Sequence, residues 1–268
     1  MNQESRNSFE PFRSPKEVEI LPGILERRYF LRASIVSAAA VVALRATTTD
    51  LFAQDRPPAK TTAGLAWDDF LKEAVPVARQ LVADPGFSVD EYLYRIGSLA
   101  TRLEAIPETK LSPFEQLNPR VFFAPSFRGS PFFIIQWRME PGAVLPPHNH
   151  PNASVCTIGF EGEIRLRNFE IEGQAPAYDS GKTFRLRETH NEPLTRGRIN
   201  TLSPARDNIH TFQAAKRGAR GIDITTMHGP GAPFSFVDIN DKPIDPESRI
   251  FEGTWNDFGR RAVPPPKN

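Results

Sequence analysis

The sequence predicts a mainly β domain, a barrel or jelly roll of short strands, with a helical cover on its N-terminal side. Three observations predict it. Short stretches with β-type patterning follow one another through the second half of the chain, separated by clusters of Gly, Pro, Asn and Asp. The 268 residues include 26 prolines and 17 glycines, which suits many turns. Helical spacing of apolar residues precedes these stretches.

Two helices are expected before the strands begin. Apolar residues recur at helical spacing from Trp67 to Ala83, where Pro76 predicts a kink or an early break. Ser88 starts a capping-box pattern with Glu91 three residues later, so a second helix is expected over 89–105. We expect both helices to pack on the barrel as a cover and not to form a separate domain.

The strand signal begins beyond Pro107. The clearest strands are Phe132–Met139, which prolines bound on both sides, and the period-two alternation over 158–167. A barrel is therefore expected from about Phe122 to Phe236, within a domain of residues 119–268 that ends in a C-terminal tail. Shorter strand candidates follow at Thr183–Arg187, Arg198–Leu202, His210–Ala214 and Gly221–Met227.

The first part of the chain is predicted to be an export signal. Arg27 and Arg28 precede a small, apolar stretch from Ala33 to Leu44, and this order resembles a twin-arginine export signal. The alternative is an ordinary amphipathic helix. We expect residues 1–53 to be the signal and spacer, 54–118 a linker and helical lead-in, and the destination to be periplasmic or otherwise extracytoplasmic. The export machinery would then be one partner of the chain.

Composition excludes several classes of protein. A formal net charge of +1 offers no electrostatic footprint for nucleic acid or an anionic membrane surface. No apolar run reaches the roughly 20 residues that a membrane-spanning helix needs, so no stable span is expected. The single cysteine, Cys156, rules out an internal disulfide.

A His-x-His pair is the first candidate for chemistry. His148 and His150 would project from the same face of an extended chain and could present two imidazoles to one ion. Alone the pair is weak evidence, because two surface histidines on a turn look the same. A third ligand could come from His210 or His228, whereas His190 lies among charged residues and is expected to be exposed.

The surroundings of the pair resemble the first cupin motif. Gly142 precedes the histidines and Gly162 closes the following strand, while the usual glutamate ligand would lie near Val155 and is absent. The segment 203–212 resembles the second cupin motif. This resemblance implies a cupin-type barrel in which His210, favoured over His228, completes a three-histidine site.

A cupin site of three histidines without a carboxylate resembles that of thiol dioxygenases. The segments around both motifs, together with Asp223-Ile224 and residues 229–235, look most like the cysteamine dioxygenase and plant cysteine oxidase branch. The resemblance covers roughly residues 120–240. It implies Fe(II) as cofactor, a small-molecule thiol or N-terminal cysteine and dioxygen as substrates, and a sulfinate as product.

Departures and further site residues complete the prediction. Phe234 replaces a tyrosine of that branch, and Cys156 lies one position later than the cysteine that cysteine dioxygenases link to a tyrosine. Cys156 shares parity with Ile158, so a buried structural thiol is expected. Asp223 and Arg138 are the catalytic candidates, and Asp223 is a candidate outer partner for an imidazole. Arg138, on one strand face with Gln136, could reach a substrate carboxylate or carbonyl, or form an ion pair at the rim.

Two other functions stay open on the sequence. The same histidines could hold Mn, Ni or Zn in a cupin metalloenzyme of another reaction class. Alternatively, the barrel could capture a metal or small ligand without catalysis. A fold of this kind hosts many functions, so it does not choose among them.

Overall fold

A computed structural model describes residues 64–114, 118–228 and 235–256. The export signal, the linker up to residue 63, Phe234 and the end of the C-terminal tail lie outside the described residues. The domain ranges 1–53, 54–118 and 119–268 therefore stay predictions. Within the described ranges, no helix is both long and apolar enough to cross a membrane.

Two helices open the described chain, α1 at Trp67–Ala83 and α2 at Val89–Ala100. Helix α1 continues through Pro76, so the predicted early break is wrong. The predicted cap of α2 is confirmed, because Ser88 Oγ accepts a hydrogen bond of 3.0 Å from the backbone N–H of Glu91. Helix α2 ends before residue 105, since the chain there turns to exchange backbone hydrogen bonds with Leu65.

Ten strands follow the helices within the described residues. The predicted strand Phe132–Met139 is confirmed at both ends as β3, and the alternating segment lies inside the much longer β5. The strands are β1 Ser112–Phe114, β2 Asn118–Gly129, β3 Phe132–Met139, β4 Val144–Asn149, β5 Ala153–Ile171, β6 Thr183–Leu194, β7 Ile199–Leu202, β8 Ile209–Met227, β9 Phe236–Ile239 and β10 Ile250–Asn256.

The strands form two sheets that share β5 and β8. The first sheet has the order β1-β2-β3-β8-β5-β7, and the second has the order β4-β8-β5-β6-β10-β9. All pairings are antiparallel. A single register pair, His148 with Phe236, joins β4 to β9 and closes the second sheet on itself. The mainly β barrel that the sequence predicted is therefore the observed fold.

The long strands β5 and β8 pair along most of their length and pass from one sheet into the other. Bulges at Gly159/Glu161 and Gly162/Ile164 mark the passage. Gly162 has φ +67°, and a Cβ there would lie 2.0 Å from the carbonyl oxygen of Gly218, so only glycine fits this approach. The sequence had predicted two separate strands where β8 is continuous.

Three apolar clusters hold these layers together. The first joins the helices to the outer face of the first sheet and includes Phe70, Ile96 and Ile224. This packing confirms the predicted helical cover. The second, around Trp137 and Phe212, combines residues of both sheets and therefore lies between them. The third packs on the other face of the second sheet, where β9 and β10 extend the barrel beyond Phe236.

Candidate metal centre

Three histidines from two distant parts of the chain come together at one end of the space between the sheets. His148 in β4 is the register partner of His210 in β8, and His150 directly follows β4. The Nε2 atom of His210 lies 3.0 Å from the Nε2 atoms of both His148 and His150. One ligand atom from each ring lies within 4.8 Å of the others. The predicted set of three histidines is thus assembled in the fold.

A bulge in β4 aims these side chains. Between Leu145 and His148 the register shifts against β8, so that Leu145 faces Phe212 while His148 faces His210. The rings of His210 and Phe212, two residues apart on β8, lie 4.6 Å apart. Because Phe212 belongs to the core between the sheets, the imidazoles point into the barrel.

Asn208 holds the backbone of His150. The N–H of His150 donates to the backbone carbonyl of Asn208 at 3.2 Å and to its side-chain Oδ1 at 3.1 Å. The side-chain amide of Asn208 donates back to the carbonyl of His150 at 3.4 Å. This exchange fixes the position of His150 although it lies beyond the end of the strand.

Asn149 fastens the same segment from its other face. Its buried side chain donates to the Tyr178 hydroxyl at 3.0 Å and accepts from the backbone N–H of Ser235 at 2.6 Å. The backbone N–H of Asn149 also donates to the carbonyl of Ser235 at 3.0 Å. The residue between the two ligands therefore ties them to the start of β9 and to the 172–182 loop.

Burial keeps the three imidazoles neutral at neutral pH. It lowers the pKa of His148 to about 4, although a hydrogen bond to the Pro146 carbonyl opposes the shift. The pKa values of His150 and His210 fall well below the ordinary value because of burial and then because of the neighbouring histidines. A metal ion binds neutral imidazole, so these three rings need not lose a proton before they can act as ligands.

Separation and donor set also suit an ion. Two of the three Nε2 pairs are separated by 3.0 Å, and all three candidate ligand atoms lie within 4.8 Å of one another, so one ion could be held by all three rings. His148 donates its Nδ1–H to the carbonyl of Pro146 at 2.8 Å, which leaves its Nε2 lone pair for a metal. Within the described ranges no Asp, Glu or Cys joins the group.

The other histidines lie elsewhere. His228 pairs with the hydroxyl of Ser154 at 2.7 Å and is not part of the group, as the preference for His210 predicted. His190 is half-buried on β6, where its register partner is Asn168, and it is less exposed than expected.

Asp223 faces a hydroxyl group in the structure. Its carboxylate accepts a hydrogen bond of 2.7 Å from Thr157, and burial raises its pKa to about 6. Its register partner on β5 is Thr157, whereas that of His210 is Asn168, so the two residues lie in different halves of β8. The sequence had predicted an imidazole as the partner of Asp223.

Arg138 does not reach the histidines. It is exposed and its guanidinium lies 4.5 Å from the ring centroid of Phe122. On β3 it alternates with Trp137, whose side chain packs between the sheets, so Arg138 projects from the opposite face. The predicted contact with a substrate at the metal is therefore wrong. Its neighbour on that face, Gln136, donates to the carbonyl of Pro107.

Cys156 is a structural thiol, as its parity predicted. It is fully buried in the cluster beneath the helices, on the face of β5 that points away from the space between the sheets. Burial raises the pKa of the thiol to about 12, which favours its protonated form.

Comparisons with known proteins leave the chain without a family assignment at the sequence level. No protein-family model matches it, and no curated protein does. Three similar solved structures are KdgF from Halomonas sp., the cupin domain of Schizosaccharomyces pombe Cnp3, and a recombinant oxalate oxidase in complex with glycolate.

The likeness is distant in each case. Identities are 14%, 14% and 18%, with TM-scores of 0.32, 0.33 and 0.34. The matches cover 44%, 46% and 48% of this chain and 88%, 72% and 62% of the other chains. Likenesses at these identities and TM-scores support no inference about a reaction. Strand topology and histidine geometry together show a mainly β barrel with a three-histidine cluster that could hold one metal ion, and the resemblance of its motifs to cupins stays a prediction.

Proposed function

We propose that this protein is an iron-dependent thiol dioxygenase that converts a small thiol, or an N-terminal cysteine, into a sulfinate. The observation that carries the proposal is the convergence of three neutral imidazoles with no carboxylate among them in the described ranges. Three neutral imidazoles would leave the charge of a bound divalent ion uncompensated. Such a centre favours an anionic ligand, and a thiolate is one.

The chemistry balances without a further reductant. Both atoms of dioxygen go to the sulfur, which loses the four electrons that dioxygen gains, and the thiol proton is released. Ferrous iron, when bound, supplies a centre where thiolate and dioxygen meet and exchange electrons. The protein supplies the ligands, their orientation and an environment from which water is excluded.

The surroundings of the histidines support the proposal that the protein provides an apolar environment for the metal. His148 and His210 are buried, and the aromatic rings of Phe236 and Phe212 lie 5.8 Å and 4.6 Å from them. Trp137 continues the apolar wall at 5.6 Å from Phe212. His150 is the partly exposed member of the group. We therefore place the approach of the substrate on the side of His150.

Oxygen uptake with a panel of thiols tests the proposal. The protein is loaded with Fe(II) under anaerobic conditions, then mixed with small thiols and with peptides that carry an N-terminal cysteine. We expect oxygen consumption that depends on the thiol, and a product heavier by two oxygen atoms that both come from isotopically labelled dioxygen. His228→Ala should keep the activity and His210→Ala should lose it. Iron occupancy without oxygen uptake for any thiol would refute the reaction.

Metal analysis of the protein purified from its own host, combined with the oxygen-uptake experiment, separates the other two functions. A cupin metalloenzyme of another class would retain Mn, Ni or Zn when purified from its own host and would not respond to thiols. A non-catalytic binding cupin would hold metal and consume no oxygen with any thiol or other substrate. Metal analysis therefore comes before the substrate screen.

Export is a separate part of the proposal and rests on the sequence around Arg27 and Arg28. The twin-arginine route moves folded proteins, which suits a protein that acquires its metal in the cytoplasm. Changing both arginines to lysine should leave the protein in the cytoplasmic fraction, while the unchanged chain reaches the extracytoplasmic fraction. Equal distribution of the two chains would contradict export by this route.

A further inference from the structure

The second ring nitrogen of His210, Nδ1, differs from that of His148 in its hydrogen bonding. His148 uses its Nδ1–H to bind the Pro146 carbonyl, and the backbone of His150 is held by Asn208. The Nδ1 atom of His210 is fully buried and has no hydrogen-bond partner within the described ranges. A buried polar group left without a partner costs about 1–3 kcal/mol. A residue near His210 should therefore receive this N–H when the ring serves as a ligand.

Asn168 is the register partner of His210 on the neighbouring strand β5. Its side chain is 1% exposed, and its Oδ1 likewise has no hydrogen-bond partner in the part of the chain that the structure describes. Side chains directly opposite each other in an antiparallel pair have Cβ atoms about 4.5–5.5 Å apart. The amide oxygen and the ring Nδ1 each lie two bonds beyond Cβ, so a side-chain rotation brings them together.

A further contact orients the amide of Asn168. Its Nδ2 donates to Oδ1 of Asn200 on β7 at 3.1 Å, and Asn200 is also buried. The nitrogen end of the amide is thereby assigned, and the oxygen end is the one left to accept a hydrogen bond. Leu166 and Phe212, which belong to the apolar core, flank this polar pair on the same faces of β5 and β8. A buried amide in such surroundings needs a polar partner.

We propose that Asn168 is the positioning residue of His210. Its Oδ1 accepts the Nδ1–H of the imidazole, which fixes the tautomer in which the Nε2 lone pair faces the ion. Metal-bound histidines generally donate their other N–H to such an outer partner, and loss of that partner costs about 10- to 100-fold in metal affinity. The inference rests on the metal site of the proposed function and not on the thiol reaction.

Zinc binding to Asn168→Leu tests the proposal without any activity assay. Leucine has a similar size and cannot accept a hydrogen bond, so we expect the affinity for Zn²⁺ to fall about 10- to 100-fold. Asn168→Asp keeps an acceptor oxygen and should keep the affinity of the wild type. Asn191→Leu is the matched control, because it removes an amide on β6 that pairs with Arg165 and Glu188.

A nuclear magnetic resonance measurement reports the hydrogen bond itself. In the 15N-labelled, zinc-loaded wild type, we expect a slowly exchanging Nδ1 proton on His210, retained in Asn168→Asp and lost in Asn168→Leu. Its absence from the wild type would overturn the inference even if the leucine variant failed to fold. Equal zinc affinity of wild type and Asn168→Leu would overturn the inference alone. A wild type that binds no zinc would overturn the metal site and this inference with it.

Discussion

The two faces of the β5–β8 pair both carry buried residues but differ in chemistry. Beneath the helices the pair presents apolar residues such as Ile158 and Ile224. Toward the space between the sheets it presents Thr157, Asn168 and His210, all of them buried. Backbone pairing is the same for both faces, and burying polar groups costs free energy. The comparison teaches that the helix-covered face is mainly apolar packing, whereas the inner face carries a histidine of the candidate metal centre beside other buried polar residues.

Removal of a ligand from the inner face should have the largest effect. In His210→Ala we expect metal affinity to fall by more than the roughly 100-fold that loss of an outer partner costs, because a direct ligand is gone. The variant should still fold, since the apolar face is unchanged. Metal content after dialysis and equilibrium binding of Zn²⁺ provide the measurement. His228→Ala is the matched control, and a His210→Ala protein that retains full metal occupancy would contradict the site.

A cavity in the helix-covered face should act on stability alone. Ile224→Ala removes a fully buried side chain from the cluster under the helices, and we expect a loss of about 2–5 kcal/mol in the free energy of unfolding. Denaturant unfolding measures it. Metal affinity of the folded variant should stay at the wild-type value. Ile244→Ala, at a position that is 53% exposed, should change stability by less than about 0.5 kcal/mol. A large loss of metal affinity in Ile224→Ala would contradict the expectation that the helix-covered face affects stability and not metal binding.

The buried carboxylate of the inner face should make stability depend on pH. The pKa of Asp223 in the folded protein, about 6, lies above the ordinary value of 3.8, so the folded state holds the proton more tightly. Its stabilising contribution is complete below pH 3.8 and is lost as the pH rises through 6. Asp223→Asn removes this loss, so at pH 7.5 the variant should be more stable by on the order of 2–3 kcal/mol.

Unfolding of both proteins at several pH values measures that gap, which should shrink toward pH 4. A gap that is constant with pH would argue against a raised pKa. Thiol-dependent oxygen uptake of the same variant adds a second readout. If activity falls while stability rises, Asp223 takes part in the reaction, as the sequence predicted.

The smallest effect is expected on the outer face of β3. Arg138→Gln removes only an exposed contact with the Phe122 ring, which is worth about 0.5–1 kcal/mol. Metal affinity and kcat/KM should stay within about twofold of the wild type. Steady-state kinetics with the best thiol of the panel provides the check. A tenfold loss of kcat/KM would restore Arg138 as a catalytic candidate.

Local patterns predicted the elements and part of the centre well. The strand Phe132–Met139 and the cap at Ser88 follow from patterning and capping chemistry that act over a few residues. The continuity of β8 did not follow, because the polar segment between its two halves looks like a turn until its pairing with β5 is known. Arg138 was misplaced for a related reason, since alternation shows which residues share a face and not which face is inside.

The asparagines of the centre carried little signal in the sequence. Asn149 lies between the two ligands and Asn208 lies two residues before the third, but only the fold shows that they clamp the segment of the His-x-His pair. Asn168 lies far from every motif along the chain and meets His210 through strand register alone. A search for polar residues at inward positions of the β5 alternation could have found it.

The sequence by itself determined the mainly β fold class, the helical cover and the His148–His150 pair, because period, capping and ligand spacing are local properties. The third candidate, His210, was implied by the cupin resemblance. Only the tertiary structure decided that the imidazole of His210 meets those of His148 and His150. It also decided that Arg138 points away from them. The physical reason is that bulges and strand register, which depend on pairing between distant segments, set the direction of each side chain in a barrel.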